Sequence, residues 1–493
     1  MNDAAPVCPP LVSTLWALPD DGQTAYVQGL HALRDGNLTS AIPLLEQAAA
    51  LQPSHPGRRR NLVRALLAAE QFVPVLHHVE AGLPHAPDDA ELHFARGCAL
   101  ARSTQPALAR AAFVHAVSLR PGHAPSWLNL GNACFDLDEY DTAESCYRQA
   151  IALDRSLPEA LVSLSYLLTR QGHLTDALAC CNEAIRLRPE LVQAHWNRAI
   201  TLLLQGNLRE GLATYEWRKR HDRFRSNFPA LPWPAWDGSN PAGRTILIRA
   251  EQGAGDAIQF VRYLPLIREA GGCPVLLCSP GLIPLFRPLG VRAVTSLAGS
   301  ETFDAWADLC SLPHLFGTEL ASIPALPGYL RADPGRAQAW HSRLPAGRKI
   351  GIAFAGNPDH SGDRWRSIPP ALLAPLLTMP DVTFVNLQHG PAAAAIALPD
   401  LTPQLPDYAE TAALIANLDL VISADTSVAH LSAALGKPTW IMLPHAPDWR
   451  WMLRRTDSPW YPSVTLYRQP APGDWTSVIT RVAADLGLNR RQA

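Results

Sequence analysis

From residue 22 onward the small and bulky positions of the chain fall into columns 34 residues apart. Gly29, Gly97, Gly131 and Ser165 form one small column, Ala41, Ala109, Ala143 and Ala177 a second, and Ala48, Ala116, Ala150 and Ala184 a third. A bulkier position between the alanine columns holds Leu45, Phe113, Tyr147 and Cys181, and Pro53, Pro87, Pro121 and Pro189 make a fourth column. The spacing predicts antiparallel helix pairs. Small residues let the two backbones approach, the proline begins the next unit, and each pair buries its exposed face on a neighbour. About six units are expected over residues 22–220. The second, 56–89, is degenerate, and in the sixth, residues 211–217 replace the usual second helix.

The period then disappears. Residues 221–244 are rich in proline and read as a linker, whose Trp233 and Trp236 point to packing against a neighbour. Beyond it short apolar runs alternate with helical patterns, the signature of parallel sheets covered by helices. The first series is a strand at 245–250, a glycine-rich turn, a helix over 257–270 kinked at Pro265, and strands at 275–277 and 291–295. The second starts with a strand at 349–354, a loop to 369, a helix at 371–377, a strand at 382–387 and a helix at 410–418. Residues 419–443 then read strand, polar turn, helix, glycine stop at Gly436, Pro438 and strand, and a helix over 475–486 closes the chain. The expected fold is α + α/β. It comprises a helical solenoid (22–220), a linker (221–244) and two Rossmann-like halves (245–340 and 345–490) facing one another across a cleft.

Two turns carry candidate chemistry. Asp425, Thr426 and Ser427 open a helix at the carboxyl end of a strand, where free backbone N–H groups attract phosphate. An ordinary capped helix has the same pattern. Gly253, Gly255 and Asp256 form the other turn, in which Asp256 serves as a helix cap, as a reactive carboxylate, or as both.

The period and residue set of the first half, best seen at residues 127–154, resemble the tetratricopeptide repeat. The strings GAGDAIQFVRYLP (253–265) and DTSVAHLSAALGKP (425–438) together resemble the heptosyltransferase-like glycosyltransferases of family nine, over roughly 245–485. The resemblance implies a GT-B fold and metal-independent transfer of a hexosyl or heptosyl group from a nucleotide-sugar donor. It implies that Asp256 is the catalytic base and that Asp425, Thr426, Ser427 and His430 belong to the donor-diphosphate motif. His430 could equally be a packed core histidine. Arg366 falls where the family has a basic residue near the donor phosphates, with Arg364 as its competitor, and Gln388 is placed for a donor contact or for holding loop backbone. The aromatic residues of Asp448-Trp449-Arg450-Trp451 and Trp460-Tyr461 have no family role; they stack on a sugar or pack between elements. Combined with tetratricopeptide repeats, the layout resembles that of O-linked N-acetylglucosamine transferases.

Composition narrows the rest. The 493 residues are 47% hydrophobic with a net charge of −2 and no basic block, which argues against nucleic acid as a partner. No apolar run reaches the length of a membrane span, the first sixteen residues lack a signal-peptide pattern, and the nine cysteines contain no CxxC pair. A cytoplasmic protein with reduced thiols and no resident metal or cofactor is the expectation. The acceptor is expected to be a protein or glycan, and the concave face of the repeats either a peptide-binding surface or a spacer. The alternative is a scaffold whose glycosyltransferase-like part no longer turns over.

Overall fold

The computed structural model describes residues 22–360 and 362–488. The N-terminal sixteen residues and Cys8, considered above, lie outside the described residues. The chain forms two compact units that divide between Asn197 and Arg198.

The first unit is a helical solenoid of tetratricopeptide pairs. Helices Ala90–Arg102 and Pro106–Leu119 make one pair, and Ala124–Asp136 and Tyr140–Leu153 the next. The sequence columns are the packing itself. A β-carbon on Gly97 would stand 2.5 Å from the Phe113 ring, and one on Gly131 2.6 Å from the Tyr147 ring. Small and large residues therefore interlock, and both rings are buried. In the degenerate second repeat Val63 and Val79 occupy the two positions and both are buried. Two medium side chains replace one small and one large, a swap that conserves volume, so the helices Pro56–Ala68 and Phe72–Gly82 still pair.

The second unit opens with the end of the sixth repeat. Its second helix is present, correcting the expectation of its loss, but is shortened to α1 (Leu208–Tyr215) and followed by a tight turn, Glu216–Arg220. Residues 221–244 are not a free linker. The backbone of Pro234 and Trp236 bonds to Trp306, at 2.9 and 2.7 Å, and covers one sheet edge. Trp233 meets Phe303 edge-on with ring centroids 4.9 Å apart.

Two parallel sheets follow. The first contains β1 (Thr245–Arg249), β2 (Cys273–Leu277), β3 (Arg292–Val294) and β4 (Ala305–Asp308), in the order β3-β2-β1-β4. The second contains β5 (Arg348–Ala353), β6 (Val382–Asn386), β7 (Leu420–Ala424), β8 (Thr439–Leu443) and β9 (Val464–Arg468), in the order β6-β5-β7-β8-β9. β7 and β8 are buried along their whole length, as strands covered on both faces must be. The helix expected to kink at Pro265 is instead two helices, α2 (Ala254–Phe260) and Leu264–Glu269, joined by a 3₁₀ turn. Pro265 sits in the first turn of the second, where its missing N–H is harmless. Strands β4 and β9, each short and partly polar, have no counterpart in the sequence reading.

The order of strands fixes two special places. In the first sheet the chain moves outward from β1 through β2 to β3, then returns to the other side of β1 as β4. In the second it leaves β5 for β6 and returns on the far side as β7. The carboxyl ends of β1/β4 and β5/β7 are thus topological switch points, where parallel sheets open a crevice for ligands.

Among the described residues no helix is long and apolar enough to cross a membrane. The eight described cysteines are free thiols, most of them buried.

Candidate functional site

The glycine turn after β1 and the polar turn after β7 are the loops at those two switch points. They lead into α2 and α3 (Ser427–Ala434), whose starts lie against each other. A β-carbon on Gly255 would stand 3.0 Å from His430 Cδ2 and 3.6 Å from Ser427 Cα. Glycine at 255 is therefore what allows the approach, and Asp256 follows it directly.

Asp256 is held on both oxygens. Gly253 N–H donates to Oδ2 at 2.9 Å, closing the first turn of α2, and Arg450 Nη2 donates to Oδ1 at 2.5 Å. Arg450 reaches over from the turn after β8. It also donates to Gln259 Oε1 at 2.6 Å and to Asp448 Oδ1 at 2.9 Å, and lies over the Trp449 ring at 4.4 Å. Burial opposes its charge, but the carboxylates of Asp448 and Asp256 outweigh that and hold its pKa well above the ordinary value. A second arginine makes a parallel tie. Arg262 donates to the Trp460 carbonyl at 2.6 Å and to Tyr329 Oη at 3.0 Å, and stacks on Tyr461 at 4.5 Å.

Thr426 is the cap residue of α3, but its side chain makes no capping bond; its hydroxyl lies 3.1 Å from Ser423 Oγ. Ser427 Oγ accepts from Tyr408 Oη at 3.1 Å. Asp425 is buried, and burial, followed by the neighbouring Asp448 charge, pushes its pKa up to about 6. Its Oδ1 lies 3.9 Å from His430 Nε2. That imidazole is buried, stacks on Trp451 with centroids 5.2 Å apart, and pairs through Nδ1 with Tyr461 Oη at 2.9 Å. Burial, then the charges of Arg450, Arg262 and Arg366, holds His430 well below its ordinary pKa, so it is neutral. His430 is thus a packed histidine that also contacts the Asp256 turn.

Arg366, not Arg364, reaches the switch point. Its Nη1 donates to the Asp425 carbonyl at 3.2 Å while Asp363 accepts from Nε at 3.0 Å; Arg364 is exposed over the Trp365 ring. Gln388 stays apart from this group. Its amide accepts from Phe354 and Ala355 N–H at 3.0 and 2.9 Å and donates to the Ala355 and His389 carbonyls, tying the end of β5 to that of β6. Trp449, Trp451, Trp460 and Tyr461 are all buried and pack between elements.

The structure therefore gathers Gly253, Gly255, Asp256, Asp425, Thr426, Ser427, His430 and Arg366 at the two switch points. It adds Arg450, Asp448 and Gln259, which sequence reasoning missed. In a chain whose 42 basic residues are nearly all arginine, one more carries little signal. The usable clue was an aspartate followed by an arginine flanked by two tryptophans, Asp448-Trp449-Arg450-Trp451, just beyond a strand.

Comparison with known proteins defines the class. Tetratricopeptide repeat profiles match residues 32–96, 124–157 and 162–216, and glycosyltransferase family 9 (heptosyltransferase) matches 400–442, which includes β7 and the opening of α3. The chain thus carries tetratricopeptide repeats in its first half and, in its second, a segment that matches the heptosyltransferase family. Among individual proteins it is similar to Protein FlbA of Caulobacter vibrioides, 29% identical across 94% of this chain and 84% of FlbA. Tetratricopeptide repeat protein 8 of Homo sapiens is 32% identical over 15% of this chain and 14% of its own. Of solved structures, a thermophilic tetratricopeptide protein from Thermus thermophilus is 25% identical with a TM-score of 0.32, covering 37% of this chain and 99% of that one. A segment of MamA from Desulfovibrio magneticus RS-1 is 18% identical with a TM-score of 0.33, covering 36% and 99%.

Proposed function

We propose that the chain is a metal-independent, inverting glycosyltransferase of GT-B layout, which moves a sugar from a nucleotide diphosphate to a hydroxyl of a protein or glycan. The observation that carries this reading is the contact of Gly255 with Ser427 and His430, which brings the Asp256 turn and the start of α3 together. In this scheme Asp256 accepts the acceptor's proton as its oxygen attacks the anomeric carbon. The bond to the diphosphate breaks, and the charge on the leaving oxygens is met by Arg366 and by the free N–H groups that open α3. Those fixed donors supply the positive charge that a metal supplies elsewhere, which supports metal independence. The repeats, in the same reading, present the acceptor or a partner protein on their concave face.

One observation favours the rival reading of an inactive scaffold: both oxygens of Asp256 are already engaged, by Gly253 and Arg450. Titrating a panel of nucleotide sugars by calorimetry decides between them. Wild type is expected to bind one donor, Asp425→Ala to bind it at least tenfold more weakly, and Asp256→Asn to bind it normally with turnover lowered about 10²–10⁴-fold. Equal binding by wild type and Asp425→Ala counts against the site, and binding without turnover in wild type leaves the scaffold.

A further inference from the structure

Beneath the Asp256 turn lies a buried charged cluster that the scheme above does not use. Arg218 is 3% exposed, and its guanidinium donates to Glu251 Oε1 at 2.9 Å, Ser311 Oγ at 2.7 Å and Glu216 Oε1 at 2.6 Å. Glu251 is itself 1% exposed, and its other oxygen accepts from Cys310 N–H at 3.4 Å. The next residue, Gln252, takes a left-handed backbone with φ of 70°, which a side-chain-bearing residue keeps only when its surroundings enforce it. The enforcing contact is visible: Gln252 Nε2 donates to Tyr215 Oη at 3.0 Å. The Tyr215 ring also lies against Trp449, 6.2 Å between centroids, which immediately precedes the arginine that grips Asp256.

Both of these side chains come from the end of the sixth repeat. Tyr215 stands 34 residues after Cys181, in the bulky column, and Arg218 stands 34 after Ala184, in a column otherwise occupied by alanine or, at Gly82, glycine. An arginine there breaks the repeat's own packing rule. Its partner, Glu251, lies two residues before the glycine turn.

We propose that Tyr215 and Arg218 are positioning residues for the Asp256 turn, so that the last turn of the repeat array is a working part of the transfer site. This rests on the glycosyltransferase reading and assigns the sixth repeat's departure from pattern a purpose. Tyr215 sets the backbone of Gln252, and Arg218 neutralises and orients Glu251. Together they fix the two residues from which the turn springs, and neither touches substrate.

The test uses the full-length chain with Tyr215→Phe, which removes one hydroxyl, and Arg218→Met combined with Glu251→Gln, which removes both charges of that pair while Lys219, 2.7 Å away, still neutralises Glu216. Turnover is expected to fall about tenfold in each, with donor affinity within twofold of wild type, because misplacing a reacting group costs rate more than binding. In an Asp256→Asn background the Tyr215→Phe change should cause no further loss. Wild-type turnover in both variants, or the same loss with and without Asp256, overturns the proposal. If no donor is turned over by wild type, the glycosyltransferase reading fails on its own. Amide hydrogen exchange at 251–257 then decides: faster exchange in Tyr215→Phe supports the positioning role, and unchanged exchange refutes it.

Discussion

Paired helices of the repeat unit meet as glycine or alanine against Leu45, Phe113 or Tyr147, and among its described residues only Arg58 and Asp89 are buried charges. The α/β unit is built the other way. Arg218, Arg249, Glu251, Arg262, Asp308 and Arg450 are all buried, and Arg249, Glu251 and Asp308 stand at or just beyond the carboxyl ends of strands. A solenoid needs only shape complementarity between neighbours, so it buries almost no charge. A site that handles charge must bury charge, and each buried ion has to be matched by another. The contrast teaches where each unit is fragile: the repeats to added volume, the α/β unit to unpaired charge.

Arg450→Met should break the second unit most severely. It strands Asp256 and Asp448 together with the Gln259 carbonyl, and should lower unfolding free energy by about 3 kcal/mol, the low end for a broken buried pair since Asp448 is partly exposed. Urea titration reads this directly. Adding one methyl to each unit sharpens the comparison. Gly131→Ala meets the Tyr147 ring and Gly255→Ala meets His430, so each should cost about 1–3 kcal/mol by overpacking. Only the second should weaken nucleotide-sugar binding, which calorimetry distinguishes; loss of binding in Gly131→Ala would contradict the division of labour.

The smallest effect is on pH dependence, and in the α/β unit it comes from the site itself. Asp425 is raised to about 6, so between pH 4 and 6 the folded state holds a proton the unfolded chain has lost, and stability falls as pH rises. His430 is lowered, so below about pH 6.5 the unfolded chain holds the extra proton and stability rises with pH. The two slopes, up to about 1.4 kcal/mol per pH unit each, oppose one another. Asp425→Asn should therefore make stability rise more steeply between pH 4 and 6 than it does in wild type, as measured by chemical denaturation across that range.

Much of this was legible in the sequence, for reasons that differ by element. The repeats declared themselves because the same small-against-large contact recurs at a fixed period. The βαβ unit at β7, α3 and β8 was legible because fully buried strands are continuous apolar runs and Gly436 with Pro438 punctuates the helix. β4 and β9 were not, being short strands whose sequences AWAD and VTLYR mix polar and apolar residues. The break after Phe260 was hidden by helical spacing that continues straight through it. Arg450 escaped for a different reason: its role comes from reaching Asp256, 194 residues away, and no local pattern encodes such a pairing. Arg218 was hidden in plain view, as an alanine column that ends in arginine.

The turn at 253–256 and the helix opening at 425–430 are expected to serve one ligand. Amide hydrogen exchange with and without the nucleotide sugar that binds most tightly tests this in a single measurement. Slowed exchange is expected in both segments at the same ligand concentration. Protection confined to one of them, with the other exchanging as in the free protein, would contradict it.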